Sequence, residues 1–457
     1  MKERNPLTFL VPILILVTLI LYAFYEFRNQ IDNQIFLPVA AAIAVVIYLS
    51  TLIDIRIGIA ISILTIAVSP EMEVGGVGNL RFEDFIVPVL LFSWLSRASS
   101  HKEAFQPAII GKGYLTFIIM AGFASLFGIL SETISGMKPF YILGKMVEYL
   151  LIYLIILNNI RTKTDAEAFV IYTMLVTMIA SAYSFTRSPI INPSESSKIM
   201  GPLGETANIF GGYMVMNTSI FLGLFLHVRT IAQKAVVMFC IIGLFYIVLL
   251  TFSRTSFSAF FAGLIIFGIL KGRKLLILTI LLFVIFLATA PQDVINRIRT
   301  IIDVGYFSGP AAWTSRMDSW EMYSNYVSSN NPILGHGLGS VNLGDVDNEY
   351  VKVYVDTGIL GLLAFLWMLF ILGRAVNKFY PLMKPEGLLT GYVAGYMIAY
   401  FALLVHCVGA TPFTSIRTME QFMIMTGLAN AIINNYAEWE GLKQPDKEQE
   451  FNFRSSI

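Results

Sequence analysis

The sequence predicts an all-α, polytopic membrane protein with about 12–14 transmembrane helices and one large extracytoplasmic loop containing amphipathic helices. Three observations predict it. Hydrophobic residues fill 56% of the 457 positions and charged ones only 13%, with a mean hydropathy of +0.71, whereas soluble domains carry roughly 25% charge. Several apolar runs reach the ~20 residues that cross a bilayer. One connection, residues 291–350, is far longer than the rest. Two cysteines, Cys240 and Cys407, both inside apolar runs, exclude a disulfide framework or a cysteine-based zinc site. A net charge of +1 supplies no global field to draw nucleic acid.

Fourteen spans are expected, at 9–25, 34–53, 56–69, 83–97, 113–130, 140–158, 168–186, 208–228, 234–252, 255–270, 274–290, 351–373, 387–408 and 418–435. The third, fourth and tenth are short enough to tilt or to dip only partway. The first opens Met1-Lys-Glu-Arg like a signal segment. No small-residue cleavage site follows at Tyr22-Ala-Phe-Tyr-Glu26, so a retained first helix is expected. With the N-terminus in the cytoplasm, most of the 31 lysines and arginines fall in cytoplasmic connections, for example Arg97, Lys102 and Lys112, or Lys271, Arg273 and Lys274. Both termini are then cytoplasmic. The chain divides into eleven spans over 1–290, the extracytoplasmic loop 291–350, three spans over 351–435 and a cytoplasmic tail, 436–457.

The loop does not read as disordered. Ile295, Ile298 and Ile302 recur at helical spacing, and Ser308-Gly-Pro310 is a helix start. Trp313, Met317, Trp320, Ser324 and Val327 then form one stripe, of the kind that lies on a membrane surface or covers a cavity. A glycine-rich turn follows, Pro332-Ile-Leu-Gly335-His-Gly337-Leu-Gly339-Ser. No internal repeat of the two-halves transporter kind is visible.

Charged residues stand where charge is expensive. Arg254, in Thr251-Phe-Ser-Arg-Thr-Ser256, has almost no loop around it and must lie at the outer membrane boundary. A snorkelling arginine is the plain account, but Ser253, Thr255, Ser256 and Ser258 suggest a polar pocket. Arg316 lies three after Trp313 and four before Trp320, so its guanidinium points where the tryptophans point; a functional role is favoured over a structural salt bridge with Asp318 or Glu321, and Asp345 and Asp347 stay open as partners. Asp345-Val-Asp347-Asn348-Glu349-Tyr350 reads first as a helix start capped by Asp347 or Asn348. It also reads as an Asp-x-Asp metal pattern, or as a general base beside a cationic site. Lys145 and Glu148 suit an intrahelical pair in an outward-open cavity, which His406 also fits. His336 is a base candidate or a plain loop residue, and Arg81, in Arg81-Phe-Glu83-Asp84, reads as an interface anchor. Two arginines offer bidentate contacts to phosphate oxygens and stabilise a diphosphate leaving group. The chain has no Gly-x-x-x-x-Gly-Lys-Ser/Thr loop, so energy must come from an activated substrate or an ion gradient.

Three elements, in this order and spacing, resemble the O-antigen ligase and Wzy-type polysaccharide polymerase superfamily: Ser253-Arg254 opening a late span; Arg316-x-x-x-Trp320 followed by Pro332-x-x-Gly335-x-Gly337; and Asp347-Asn-Glu-Tyr-Val-Lys-Val-Tyr-Val-Asp-Thr-Gly358-Ile-Leu-Gly361 running into a span. The resemblance covers about 200–375. It implies a GT-C-like membrane glycosyltransferase that uses an undecaprenyl-diphosphate-linked saccharide at the outer face of the bacterial cytoplasmic membrane. It gives Arg254 and Arg316 the diphosphate, and makes 291–350 the catalytic loop. Asn348, Tyr350, His336, Lys145, Glu148 and Arg81 are the further substrate-binding candidates. Family ligases carry His-Asn where this chain has Asp347-Asn348, so Asp347 is the expected base and His336 the fallback.

The favoured expectation is a polymerase joining lipid-linked repeat units into an exopolysaccharide, capsule or O-antigen chain. The first alternative is ligase-type transfer to a different acceptor, and the second is a flippase or transporter. No cofactor is expected; a divalent cation at Asp345/Asp347 is kept open but not favoured. The partners are the lipid-linked donor, a saccharide acceptor and the bilayer, with a flippase and a chain-length regulator as candidate protein partners and no nucleic acid.

Overall fold

A computed structural model describes residues 6–8, 10–15, 18, 45–68, 72–74, 78–101, 104–134, 136–186, 199–201, 206–272, 276, 277, 280, 283, 284, 312–341 and 346–442. Its main elements are α1 (Ile55–Val68), the strands β1 (Met72–Val74) and β2 (Gly78–Leu80), α2 (Phe82–His101), α3 (Gly111–Leu130), α4 (Lys138–Asn159) and α5 (Lys163–Thr186). There follow α6 (Ala207–His227), α7 (Ile231–Leu250), α8 (Arg254–Lys271), α9 (Ala312–Asn330), α10 (Glu349–Phe379), α11 (Leu388–His406) and α12 (Ile416–Trp439).

Among the described residues, eight helices are long and apolar enough to cross a membrane: α3 to α8, α10 continuing to Leu382, and α11. The protein is a polytopic α-helical membrane protein. These eight coincide with eight of the expected spans. Three more expected spans are helical but fall short: α1 has 14 residues, and α2 and α12 are too polar by that measure. The expected spans 9–25, 34–53 and 274–290, and the loop up to residue 311, lie largely outside the described residues. No strand was expected, yet β1 and β2 pair antiparallel, Met72 opposite Leu80 and Val74 opposite Gly78. The intervening sequence contains Gly75-Gly76, the composition of a tight hairpin.

The described residues form two compact units. The first takes in those up to Ala108, Glu148–Ala180 and those from Glu420 onward. Ile59, Ile63, Leu64 and Ile66 of α1 are buried within it, and the Tyr172 hydroxyl donates to the Ala60 carbonyl at 2.9 Å. Arg56 ties the start of α1 to Asp54 at 2.8 Å and to Asp165 at 3.1 Å.

The second unit takes in Ile109–Val147 and Ser181–Met419. Its centre is α11, buried along nearly its whole length, as expected for a helix apolar on every side. Lipid is as apolar as leucine, so such helices associate by close packing through small residues rather than by escape from water. Gly391-x-x-x-Gly395 of α11 faces Gly223 of α6, and a Cβ on Gly223 would stand 2.0 Å from the Gly395 nitrogen. Gly263 meets Ala402 in the same way, bringing α8 onto α11. On the far side, Gly113 of α3 lies against Met368 of α10, with the Phe117 and Phe365 rings 5.4 Å apart. Val236, Phe239 and Ile242 of α7 and Phe370 of α10 point outward and exposed, where lipid would meet them.

The long helix α10 is broken. Gly358 has φ 64° and ψ −167°, which interrupts the ladder near the Val355 and Asp356 carbonyls. His336 N donates to Val355 O at 3.0 Å and Gly337 N to Asp356 O at 2.9 Å, so the Pro332–Ser340 turn satisfies them. Gly335, Gly337 and Gly339 all have positive φ, the conformation that lets this turn lie against helix backbone. The glycine-rich motif is therefore a buried support for α10.

Candidate active site

Five helix ends of the second unit come together: the C-termini of α3 and α11 and the N-termini of α6, α8 and α10. The segment after α11 is the common partner of the α6, α8 and α10 starts. Asn208 at the start of α6 donates from Nδ2 to Gly409 O at 3.0 Å, and Glu349 N at the start of α10 donates to Cys407 O at 2.8 Å. At the start of α8, Ser256 Oγ shares a hydrogen bond with His406 Nε2 at 3.2 Å. The α3 terminus joins through Thr133, whose hydroxyl donates to His336 O at 3.1 Å.

Arg254 is the first residue of α8, held by a capped corner. Ser253 Oγ accepts from Ser256 N at 3.2 Å and donates to Asn208 Oδ1 at 2.8 Å. The serines expected to line a polar pocket instead knit this corner: Ser253 and Ser256 are buried in bonds, Thr255 reaches Gly409 O at 3.4 Å, and Ser258 is exposed. Arg254 itself is half-buried. The Arg254 cation stands at the positive end of the α8 dipole.

Arg316 and Asp347 form an ion pair, Nη2 to Oδ2 at 2.8 Å, with side chains 26% and 33% exposed. On α9, Arg316 shares its face with Trp320, Tyr323 and Val327, which pack with Val341, Val346 and Val355. The Trp313 side chain and Asp345 lie outside the described residues. Of the two cap candidates, Asn348 is the cap: its Oδ1 accepts from Val351 N at 3.1 Å, which leaves Asp347 to the guanidinium. Tyr350 donates its hydroxyl to Leu404 O at 2.8 Å.

Other sequence candidates lie differently. His336 is only 3% exposed and stacks on Tyr326, ring centroids 4.6 Å apart; neither ring nitrogen has a hydrogen-bond partner among the described residues. Burial pushes its pKa below the usual histidine range, with Asp356 opposing, so the ring is neutral at pH 7. Arg81 is not an interface anchor. It is 3% exposed in the first unit, 3.6 Å from Glu83 and 3.9 Å from Glu420, because two buried carboxylates attract it inward. Lys145 is buried in the second unit, and Glu148 falls in the first.

Sequence reasoning missed Glu349 and the pair Lys352–Asp356. Glu349, 1% exposed, accepts from Phe413 N at 2.9 Å and from the Thr414 hydroxyl at 2.8 Å. Lys352 meets Asp356 at 3.1 Å inside the turn of α10 before the break, and Ser340 donates to the same Asp356 at 2.9 Å. An acid in a first helical turn looks like ordinary dipole compensation, so the only available signal was a charge entering a span.

A family model described as O-antigen ligase (Wzy_C) matches residues 238–366. The chain carries an O-antigen ligase domain. The domain runs from α7 to just beyond the break in α10 and contains Arg254, Arg316 and Asp347. The resemblance read from the motifs is thereby established, and the domain supports an enzymatic, glycan-transfer role. The curated proteins contain no match to the chain.

Proposed function

We propose that this protein is a glycosyltransferase of the bacterial cytoplasmic membrane that moves a saccharide from a polyprenyl diphosphate to an acceptor hydroxyl at the outer face. The observation that carries the reading is the grouping of the Arg254 corner and the α10 start bearing Asp347, both bonded to the turn after α11, within the O-antigen ligase domain. The family description favours ligase-type transfer to a separate acceptor over the polymerase expected from the motifs. Polymerisation stays as the second reading, because Asp347 stands where family ligases carry histidine.

The acceptor oxygen attacks the anomeric carbon, the bond from that carbon to the diphosphate oxygen breaks, and the polyprenyl diphosphate departs. Negative charge grows on the leaving group. Arg254, backed by the α8 dipole, and the forked Arg316 stabilise it there. The acceptor proton passes to Asp347. Its carboxylate is engaged by Arg316 at 2.8 Å, so the diphosphate must draw the guanidinium away before the carboxylate accepts a proton.

The test is transfer in proteoliposomes holding an undecaprenyl-diphosphate-linked oligosaccharide, with and without a second acceptor lipid, for wild type, Arg316→Ala and Asp347→Ala. Product on the acceptor lipid, lost in both variants, is the expected result. A ladder without the acceptor makes the protein a polymerase, and EDTA sensitivity makes it metal-dependent. Movement of intact donor across the bilayer with no new glycosidic bond overturns both enzymatic readings.

A further inference from the structure

We propose that Glu349 is a positioning residue for this reaction, fixing the spacing between Arg254 and Asp347 through the segment Cys407–Thr414; the inference rests on the function proposed above. Glu349 stands two residues after Asp347, yet its carboxylate points away into the protein and is 1% exposed. One oxygen accepts from Phe413 N at 2.9 Å, the other from the Thr414 hydroxyl at 2.8 Å, and its own N–H donates to Cys407 O at 2.8 Å. Three hydrogen bonds, two of them to an ionisable group, thus fasten one stretch of chain to the first turn of α10.

The opposite side of that stretch holds the Arg254 corner. Gly409 O accepts from Asn208 at 3.0 Å and from Thr255 at 3.4 Å, and His406 bonds Ser256 at 3.2 Å. Asn208 in turn accepts from Ser253, the cap that precedes Arg254. The path from Asp347 to Arg254 therefore runs through Glu349, the 407–414 segment, Asn208 and Ser253, all in one compact unit. That segment lies beyond residue 366, where the O-antigen ligase match ends. The working site is therefore larger than the matched domain. A diphosphate spanning two guanidinium groups tolerates little error, since a misplacement of about 1 Å costs on the order of a hundredfold in rate.

Glutamine at 349 can still accept from Phe413 N through its oxygen and donate to the Thr414 oxygen through its amide nitrogen. Alanine does neither. The experiment measures transfer by the full chain in proteoliposomes with the undecaprenyl-diphosphate-linked oligosaccharide as donor, for wild type, Glu349→Ala, Glu349→Gln and Thr414→Val, each also in an Arg254→Lys background. Expected are a kcat about tenfold or more lower for Glu349→Ala, and within about threefold of wild type for Glu349→Gln. In the Arg254→Lys background, Glu349→Ala should cost less than about threefold more, because the two act through one geometry. Thr414→Val repeats the pattern at smaller size and serves if Glu349→Ala does not fold. Glutamine as inactive as alanine would make Glu349 a proton-transfer group, and a full additive loss with Arg254→Lys would make it a stability residue. Either overturns the proposal while leaving the function intact. Absence of transfer by wild type overturns the function and this inference with it.

Discussion

Replacing Gly358 by alanine tests whether the break in α10 is a requirement of the fold. The residue has φ 64° and ψ −167°, a region essentially reserved to glycine, and a side chain forced there costs about 1–3 kcal/mol. The added Cβ would lie 2.3 Å from Ile333 O, 2.4 Å from Ile333 C and 2.6 Å from Gly335 N. All three are backbone atoms, so no rotamer change relieves the overlap, and overpacking adds about 1–3 kcal/mol. The alternative is for α10 to straighten and expel the Pro332–Ser340 turn. That exchanges the four backbone hydrogen bonds between the turn and α10 for helical ones, but it uncovers His336 and Leu338, which are 3% and 5% exposed. With the break kept, the two terms together cost about 2–6 kcal/mol, reaching the severe end for one substitution. Gly144→Ala is the control, since nothing lies within 4 Å of a Cβ there and a mid-helix alanine gains about 0.5–1 kcal/mol. The assay is thermal unfolding of both variants in the same detergent. A Gly358→Ala midpoint equal to that of Gly144→Ala would refute the reasoning.

Three further outcomes are expected. Arg316→Lys keeps the charge but loses the fork to a diphosphate, so transfer should fall by about 10- to 100-fold with unfolding unchanged, read as kcat/KM beside Tm. His336 has a lowered pKa, so the unfolded chain binds its proton first. Stability should therefore hold above pH 7 and decline as pH falls through about 6.5 toward the lowered native value, and His336→Phe should flatten that acid limb in a Tm series from pH 5 to 8. Arg229 and Glu386 pair at 3.2 Å but are 68% and 63% exposed, so Arg229→Ala should shift the midpoint no more than a salt-screened surface pair does, under about 1 kcal/mol, and less still in 0.5 M salt.

The membrane helices were legible because a bilayer imposes length and apolarity on each span separately, and a run such as 113–130 satisfies both without reference to its neighbours. The face that Arg316 occupies was legible for a similar reason, while its partner was left open between Asp345 and Asp347. Helical spacing aimed Arg316 along the Trp320 face, and that face packs near the Asp347 loop. What escaped were features set by tertiary contact. Glu349 owes its burial to Phe413 and Thr414, more than sixty positions away, and nothing local distinguishes it from a helix-start acid. Arg81 looked like an anchor because Glu420, its partner, belongs to a distant helix. The Pro332–Gly339 glycines announced a turn but not that the turn completes another helix's hydrogen bonding.

The turn inserted at the break in α10 has a consequence for building hybrids. A designer exchanging the 291–350 loop between related proteins would naturally cut at the start of α10, near residue 349. That cut would separate two halves of a single backbone interlock, setting a grafted loop against a helix whose break was not built to receive it. The sounder joint is before Asn331, so that everything from Pro332 through Gly361 travels as one inherited cassette.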